Sequence, residues 1–153
     1  MISSILSTLH ILTLALGLPA LIARGREMQR VSVGVGDLGA VFHADRLWGL
    51  GSALWLGTGL LRVFGPFEKG SAYYLSSGSF LLKVGLFTLL LFLELAPMVT
   101  LIRWRGQLAR GQTPDLSQLR VLARLNAAEI AVVALIPFLA SMMARGIGFS
   151  WFT

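Results

Sequence analysis

The sequence predicts an all-α integral membrane protein: one four-helix bundle covering residues 1–153, with both termini on the non-cytoplasmic side. Composition is the first ground. The chain is 56% hydrophobic and only 13% charged, with a mean hydropathy of +0.77, values that belong to membrane-embedded rather than soluble domains. Spacing is the second. Apolar runs at 2–23, 46–64, 80–102 and 122–144 each approach the ~20 residues that a bilayer-spanning helix needs. Charge placement is the third. Three arginines lie between the first two runs (Arg24, Arg26, Arg30) and four between the last two (Arg103, Arg105, Arg110, Arg120), with Arg124 just inside the fourth. The opposite loop and the C-terminal tail hold only Lys69 and Arg145. By the positive-inside rule the arginine-rich loops are cytoplasmic, the orientation expected of a multi-pass protein of an inner (cytoplasmic) membrane.

The same placement accounts for the net charge of +6 without nucleic acid, for which no binding motif is present. Cysteine is absent, so disulfides, thiolate metal sites and thiol chemistry are excluded.

The first span has no basic residue before it, and Arg24, Arg26 and Arg30 follow it, so it reads as a retained helix rather than a signal peptide. On a helical wheel Ser3, Ser7, His10, Leu14 and Gly17 share a face, which directs His10 into the bundle. The segment Arg24 to Ala44 reads as a short glycine-containing connection; its VGVGDLG string has no βαβ context and is no dinucleotide fingerprint. His43 falls at the membrane boundary.

The second span carries Gly49, Ala53 and Gly57 at every fourth position, a stripe that permits close helix–helix approach. Trp48, Gly51, Trp55, Thr58 and Arg62 occupy the opposite face. The loop after it holds Glu68 and Lys69, with Tyr73 and Tyr74 as interfacial anchors. In the third span Lys83, Phe87, Leu90 and Glu94 share one face. Lys83 and Glu94 lie roughly 16 Å apart along it, too far to pair directly. Pro97 is expected to kink the helix.

Thr113, Pro114 and Asp115 read as a turn into the fourth span. There Asn126 and Glu129 form a polar face, while Ala127, Ala131 and Ala134 form a small-residue stripe on another. Two specialised faces point to contacts on two sides, one of them another subunit.

Charges at membrane depth face protein, water or a cofactor. They fall into two layers. An inner polar cluster comprises Arg46, Glu94, Asn126 and Glu129, with Asp45 and Arg124 beside it. It reads as charge-paired helix packing, Glu94 and Glu129 being answered by Arg46 or Arg124, or as a proton relay. The outer layer comprises His10, Arg62 and Lys83. His10 is either a hydrogen-bonded packing residue or a metal ligand, for haem iron, with Arg62 and Lys83 contacting anionic groups such as propionates. Met142 and Met143 are candidate second ligands. No nucleophile–base pair stands out.

The strings ADRLWGLGSALWLGTGLLR, FEKGSAYYL, FLLKVGLF and LELAPMVTLIRWR resemble a bacterial family of four-helix membrane proteins of unknown function. That family is in turn distantly similar to the HemJ-type protoporphyrinogen oxidase. The resemblance implies haem and activity at a His on the first helix and a Lys on the third, which correspond to His10 and Lys83. The chain departs from the pattern after the paired tyrosines. There the family reads like His-Asn-Pro-Leu-Phe, and this chain has Ser76-Ser77-Gly78-Ser79-Phe80.

Two functional readings follow. One is a non-catalytic accessory subunit of a larger respiratory or photosynthetic membrane complex, docking on other subunits through the small-residue stripes. The other is a haem-linked membrane oxidoreductase with haem b as cofactor, engaged in electron transport. A transporter or channel would require oligomerisation, because the four spans contain no pore motif.

Overall fold

The computed structural model describes residues 2–66 and 78–145, except the side chains of residues 79 and 142–144. Four α-helices make up the described fold: α1 Ile2–Ser32, α2 Leu38–Phe64, α3 Gly78–Ala109 and α4 Leu119–Ala144. All four are long and apolar enough to cross a membrane. Glu68, Lys69, Tyr73, Tyr74, Ser76 and Ser77 lie outside the described residues, as do the side chains of Met142 and Met143.

The helices are longer than the apolar runs at the arginine-rich end. α1 continues past Ala23 to Ser32, and α2 begins at Leu38 rather than Arg46. The turn chemistry explains where they stop. Gly34, at φ +80°, follows α1, and the Gly34 and Val35 N–H groups return to the carbonyls of Val31 and Arg30. Gly111, at φ +72°, closes α3 in the same way, with Gly111 and Gln112 bonding back to Leu108 and Gln107. This is the Schellman arrangement, and its left-handed residue favours glycine.

Asp37 starts α2 by accepting hydrogen bonds from the N–H groups of Gly39 (2.9 Å) and Ala40 (3.2 Å). The turn expected at Thr113 to Asp115 falls later, at Ser117 and Gln118, where Asp115 accepts from the Ser117 N–H and hydroxyl, both at 2.9 Å. Those two donors hold the exposed Asp115 carboxyl below the ordinary aspartate range.

α1 packs on both α2 and α4, and α3 packs on α4. Large side chains cross the remaining α2–α3 seam: Trp48 reaches Glu94, Trp55 meets Phe87 edge-on at 5.5 Å, and Arg105 reaches Asp45. Backbones approach closely between α1 and α2. A β-carbon placed on Gly51 would lie 2.9 Å from the Cα of Gly17. Helices can come this close only through small residues.

The apolar interior is in two clusters. One gathers Ala20, Leu21, Trp48, Trp55, Leu90, Val132, Val133 and Ile136. The other, at the arginine-rich end, gathers Met28, Val41, Leu101, Trp104, Leu119, Leu122 and Ala123. Between them lies a polar layer to which every helix contributes.

Candidate functional site

Arg24 is at the centre of that layer and is 0% exposed. Its guanidinium has five N–H groups, and five hydrogen bonds leave it for the other three helices. Nε donates to Asn126 Oδ1 at 2.8 Å. Nη1 donates to Asp45 Oδ1 at 2.8 Å and to Glu94 Oε1 at 2.7 Å. Nη2 donates to Glu94 Oε2 at 2.8 Å and to Glu129 Oε2. The Glu94 contact is therefore a two-point fork, the geometry in which a guanidinium binds a carboxylate best.

A second ring of bonds holds these partners in place. Trp48 Nε1 donates to Glu94 Oε2 at 3.0 Å, and Asn126 Nδ2 donates to the Leu21 carbonyl at 3.0 Å. Arg105 bonds the free oxygen of Asp45 and the Phe42 carbonyl while covering the Phe42 ring. Gly25 makes room for Asn126, because a β-carbon there would lie 2.5 Å from Asn126 Nδ2. Asn126 and Glu129 are fully buried, whereas Glu94 and Asp45 keep 21% and 11% of their side-chain surface exposed. Glu129 Oε1 is buried without a hydrogen-bond partner.

Three of the expected inner residues, Glu94, Asn126 and Glu129, thus come together. Arg46 does not join them. It is exposed, as is Arg124, and it lines an open cleft of about 600 Å³ with Ala20, Glu27, Asp37 and His43 between α1 and α2. Asp45 occupies the inward position on α2, and its neighbour necessarily points away on a 3.6-residue helix. The cation is Arg24 instead, which the sequence had placed in a surface connection. Two signals pointed to it. It continues the inward 3–4 spacing of Gly17, Leu21 and Met28, and the membrane-depth acids require a cation among them.

At the other end of the bundle the inward face expected for α1 is present, and His10 lies on it, half-buried. His10 Nδ1 is 2.9 Å from Thr58 Oγ1, and its ring stacks on Trp55 at 5.7 Å. The single proton of the Thr58 hydroxyl is directed to the carbonyls of Leu54 (2.8 Å) and Trp55 (3.0 Å). With that proton on a carbonyl, Thr58 accepts from His10, and the imidazole is assigned on this ground as its Nδ1–H tautomer with the lone pair on Nε2. Arg62 and Lys83 lie close enough to act electrostatically on this ring. Lys83 also lies 5.7 Å from the centre of the Phe80 ring.

The inward faces of α2 and α3 are the expected ones. Trp48, Gly51 and Trp55 are buried, and Lys83, Phe87, Leu90 and Glu94 line one side of a helix that runs on through a buried Pro97. The two small-residue stripes point outward: Gly49, Ala53 and Gly57 are exposed, and so are Ala127, Ala131 and Ala134. Nothing lies within 4 Å of where a β-carbon would sit on Gly49 or Gly57. Among the described residues no group of three or more His, Asp and Glu is arranged to hold a metal ion.

The family model for predicted membrane proteins (DUF2214) matches residues 2–148. The chain belongs to this family. The match spans all four helices and agrees with the resemblance drawn from the EKG-x-x-YY and PMVTLIRWR strings. No curated protein and no solved structure matches the chain. Nothing found links it to the HemJ-type oxidase.

Proposed function

We propose that this chain is a non-catalytic subunit of a larger membrane complex in a bacterial cytoplasmic membrane, of the respiratory or photosynthetic kind. Both termini lie outside the cytoplasm in this reading, as the arginine distribution favours. The observation that carries it is the division of labour between faces. Arg24 directs all its donors to partners within the bundle, while both small-residue stripes face outward with open space over Gly49 and Gly57. A lipid-facing helix has no need of such a stripe, whereas a helix that takes a neighbour's backbone at close range does. The test is native electrophoresis of mild-detergent extracts from the source membrane. Wild-type protein is expected in a particle much larger than a monomer or dimer, and Gly57→Leu or Ala131→Leu is expected to release it. Unchanged migration of both variants would refute docking through these stripes.

The second reading, a haem-linked oxidoreductase, is favoured by the His10–Thr58 bond. An imidazole anchored through Nδ1–H presents Nε2 to a metal, which is how metal-ligating histidines are commonly held. His10 Nε2 would hold the iron, and Arg62 and Lys83 would hold the propionates; haem b would supply one-electron chemistry. An absorption spectrum of the purified protein separates the two readings. A Soret band lost in His10→Ala supports this one, and a spectrum without a haem band sinks it.

A further inference from the structure

We propose that Glu94 and Glu129 form a buried proton-binding site that is loaded at neutral pH, with one proton held between the two carboxyl groups. The ligand is the proton itself, and the site does not depend on which partner or cofactor the bundle takes.

The first argument is charge. Three carboxylates meet two guanidiniums in the polar layer: Asp45, Glu94 and Glu129 against Arg24 and Arg105. With every acid ionised the layer carries one uncompensated negative charge between two apolar clusters. An unneutralised charge in such surroundings is far more costly than a neutral acid, so the group takes up a proton.

Geometry then says where the charge is in excess. Asp45 has a guanidinium on each oxygen, Arg24 on one and Arg105 on the other. Both Glu94 oxygens accept from Arg24, and one also accepts from Trp48. Glu129 has the weakest provision: Oε2 shares Arg24 Nη2 with Glu94 Oε2, and Oε1 is buried with no donor. The two glutamates converge on one nitrogen, Arg24 Nη2, which donates to Glu94 Oε2 at 2.8 Å and to Glu129 Oε2. Two ionised carboxylates in that position repel; a single shared proton turns the contact into a hydrogen bond.

The groups facing the pair are therefore Arg24 from α1, Asp45 and Trp48 from α2, Arg105 from α3 and Asn126 from α4. Exposure separates the two glutamates: Glu129 is sealed at 0%, whereas Glu94 keeps 21% of its side-chain surface exposed.

Infrared spectroscopy of the full-length protein in detergent tests this at neutral pH. The chain has only seven Asp and Glu residues, which keeps the carbonyl region simple. Wild-type protein is expected to show the C=O stretch of a protonated carboxylic acid, shifted down in D2O. Glu129→Gln, in which the amide stands in for the neutral acid, is expected to fold and to lose the band. Glu27→Gln, outside the layer, is expected to keep it. The proposal is overturned by a wild-type spectrum without the band, by its persistence in Glu129→Gln, or by its loss in Glu27→Gln. A wild-type spectrum without the band overturns the proposal even where a variant does not fold.

Discussion

Arg24 and Glu94, seventy positions apart on the first and third helices, meet in a two-point fork of 2.7 and 2.8 Å at the middle of the bundle. The geometry is planar and directional, so it asks for a guanidinium rather than for positive charge alone. Arg24→Met is expected to leave buried carboxylates without their cation and to destabilise the bundle by about 3–5 kcal/mol. Arg24→Lys is expected to fall between wild type and Arg24→Met, because an ammonium has three donors and no fork. Denaturant titration in mixed micelles, followed by tryptophan fluorescence, measures both. Equal stability of Arg24→Lys and wild type would contradict the fork's role.

Two glycines on α2 are expected to respond oppositely to the same change. Gly51→Ala drives a β-carbon against the Gly17 backbone and is expected to cost about 1–3 kcal/mol, the usual range for overpacking. Gly57→Ala meets open space and is expected to change the isolated bundle by no more than ~0.5 kcal/mol. The same titration reads both.

The imidazole at position 10 is expected to be the Nδ1–H tautomer. Nitrogen-15 NMR shifts distinguish the two ring nitrogens directly. In Thr58→Val the acceptor is gone, and the preference for Nδ1–H is expected to weaken while helix content is unchanged.

Asp115 gives a prediction for pH. Its carboxylate accepts from the Ser117 N–H and hydroxyl, so its folded-state pKa is depressed. The resulting stabilisation of the turn is present above the ordinary aspartate pKa and is lost as pH falls through the depressed value. In Ser117→Ala one of the two donors remains. The Asp115 titration, followed by NMR, is expected to rise part of the way towards the ordinary range.

Much of this architecture can be read before any coordinates. Periodicity alone puts His10, Trp48, Trp55, Lys83, Glu94 and Glu129 inside, because small, polar and aromatic residues recur at helical spacing against a uniformly apolar background. Arg24 shows where that reading stops. An arginine directly after an apolar run looks like a boundary marker, and hydropathy cannot separate a helix that ends there from one that continues for two more turns. The distinction lies in the capping glycine at position 34, ten residues on, and in the acids of three other helices. Arg46 is the converse error: it adjoins Asp45 in sequence but projects to the cleft side of the helix.

The polar layer also has a consequence in time. Its cation lies on the first helix, and its acceptors lie on the second, third and fourth, with Asn126 and Glu129 on the last. As the chain emerges in order, Arg24 meets Asp45 first, then Glu94, and completes its donor set only with α4. Until then the growing hairpin holds a guanidinium with unanswered N–H groups at membrane depth, a state that water or an assembly factor must shelter. A chain halted after α3 therefore lacks the Asn126 and Glu129 acceptors and differs from the finished bundle in its own electrostatics.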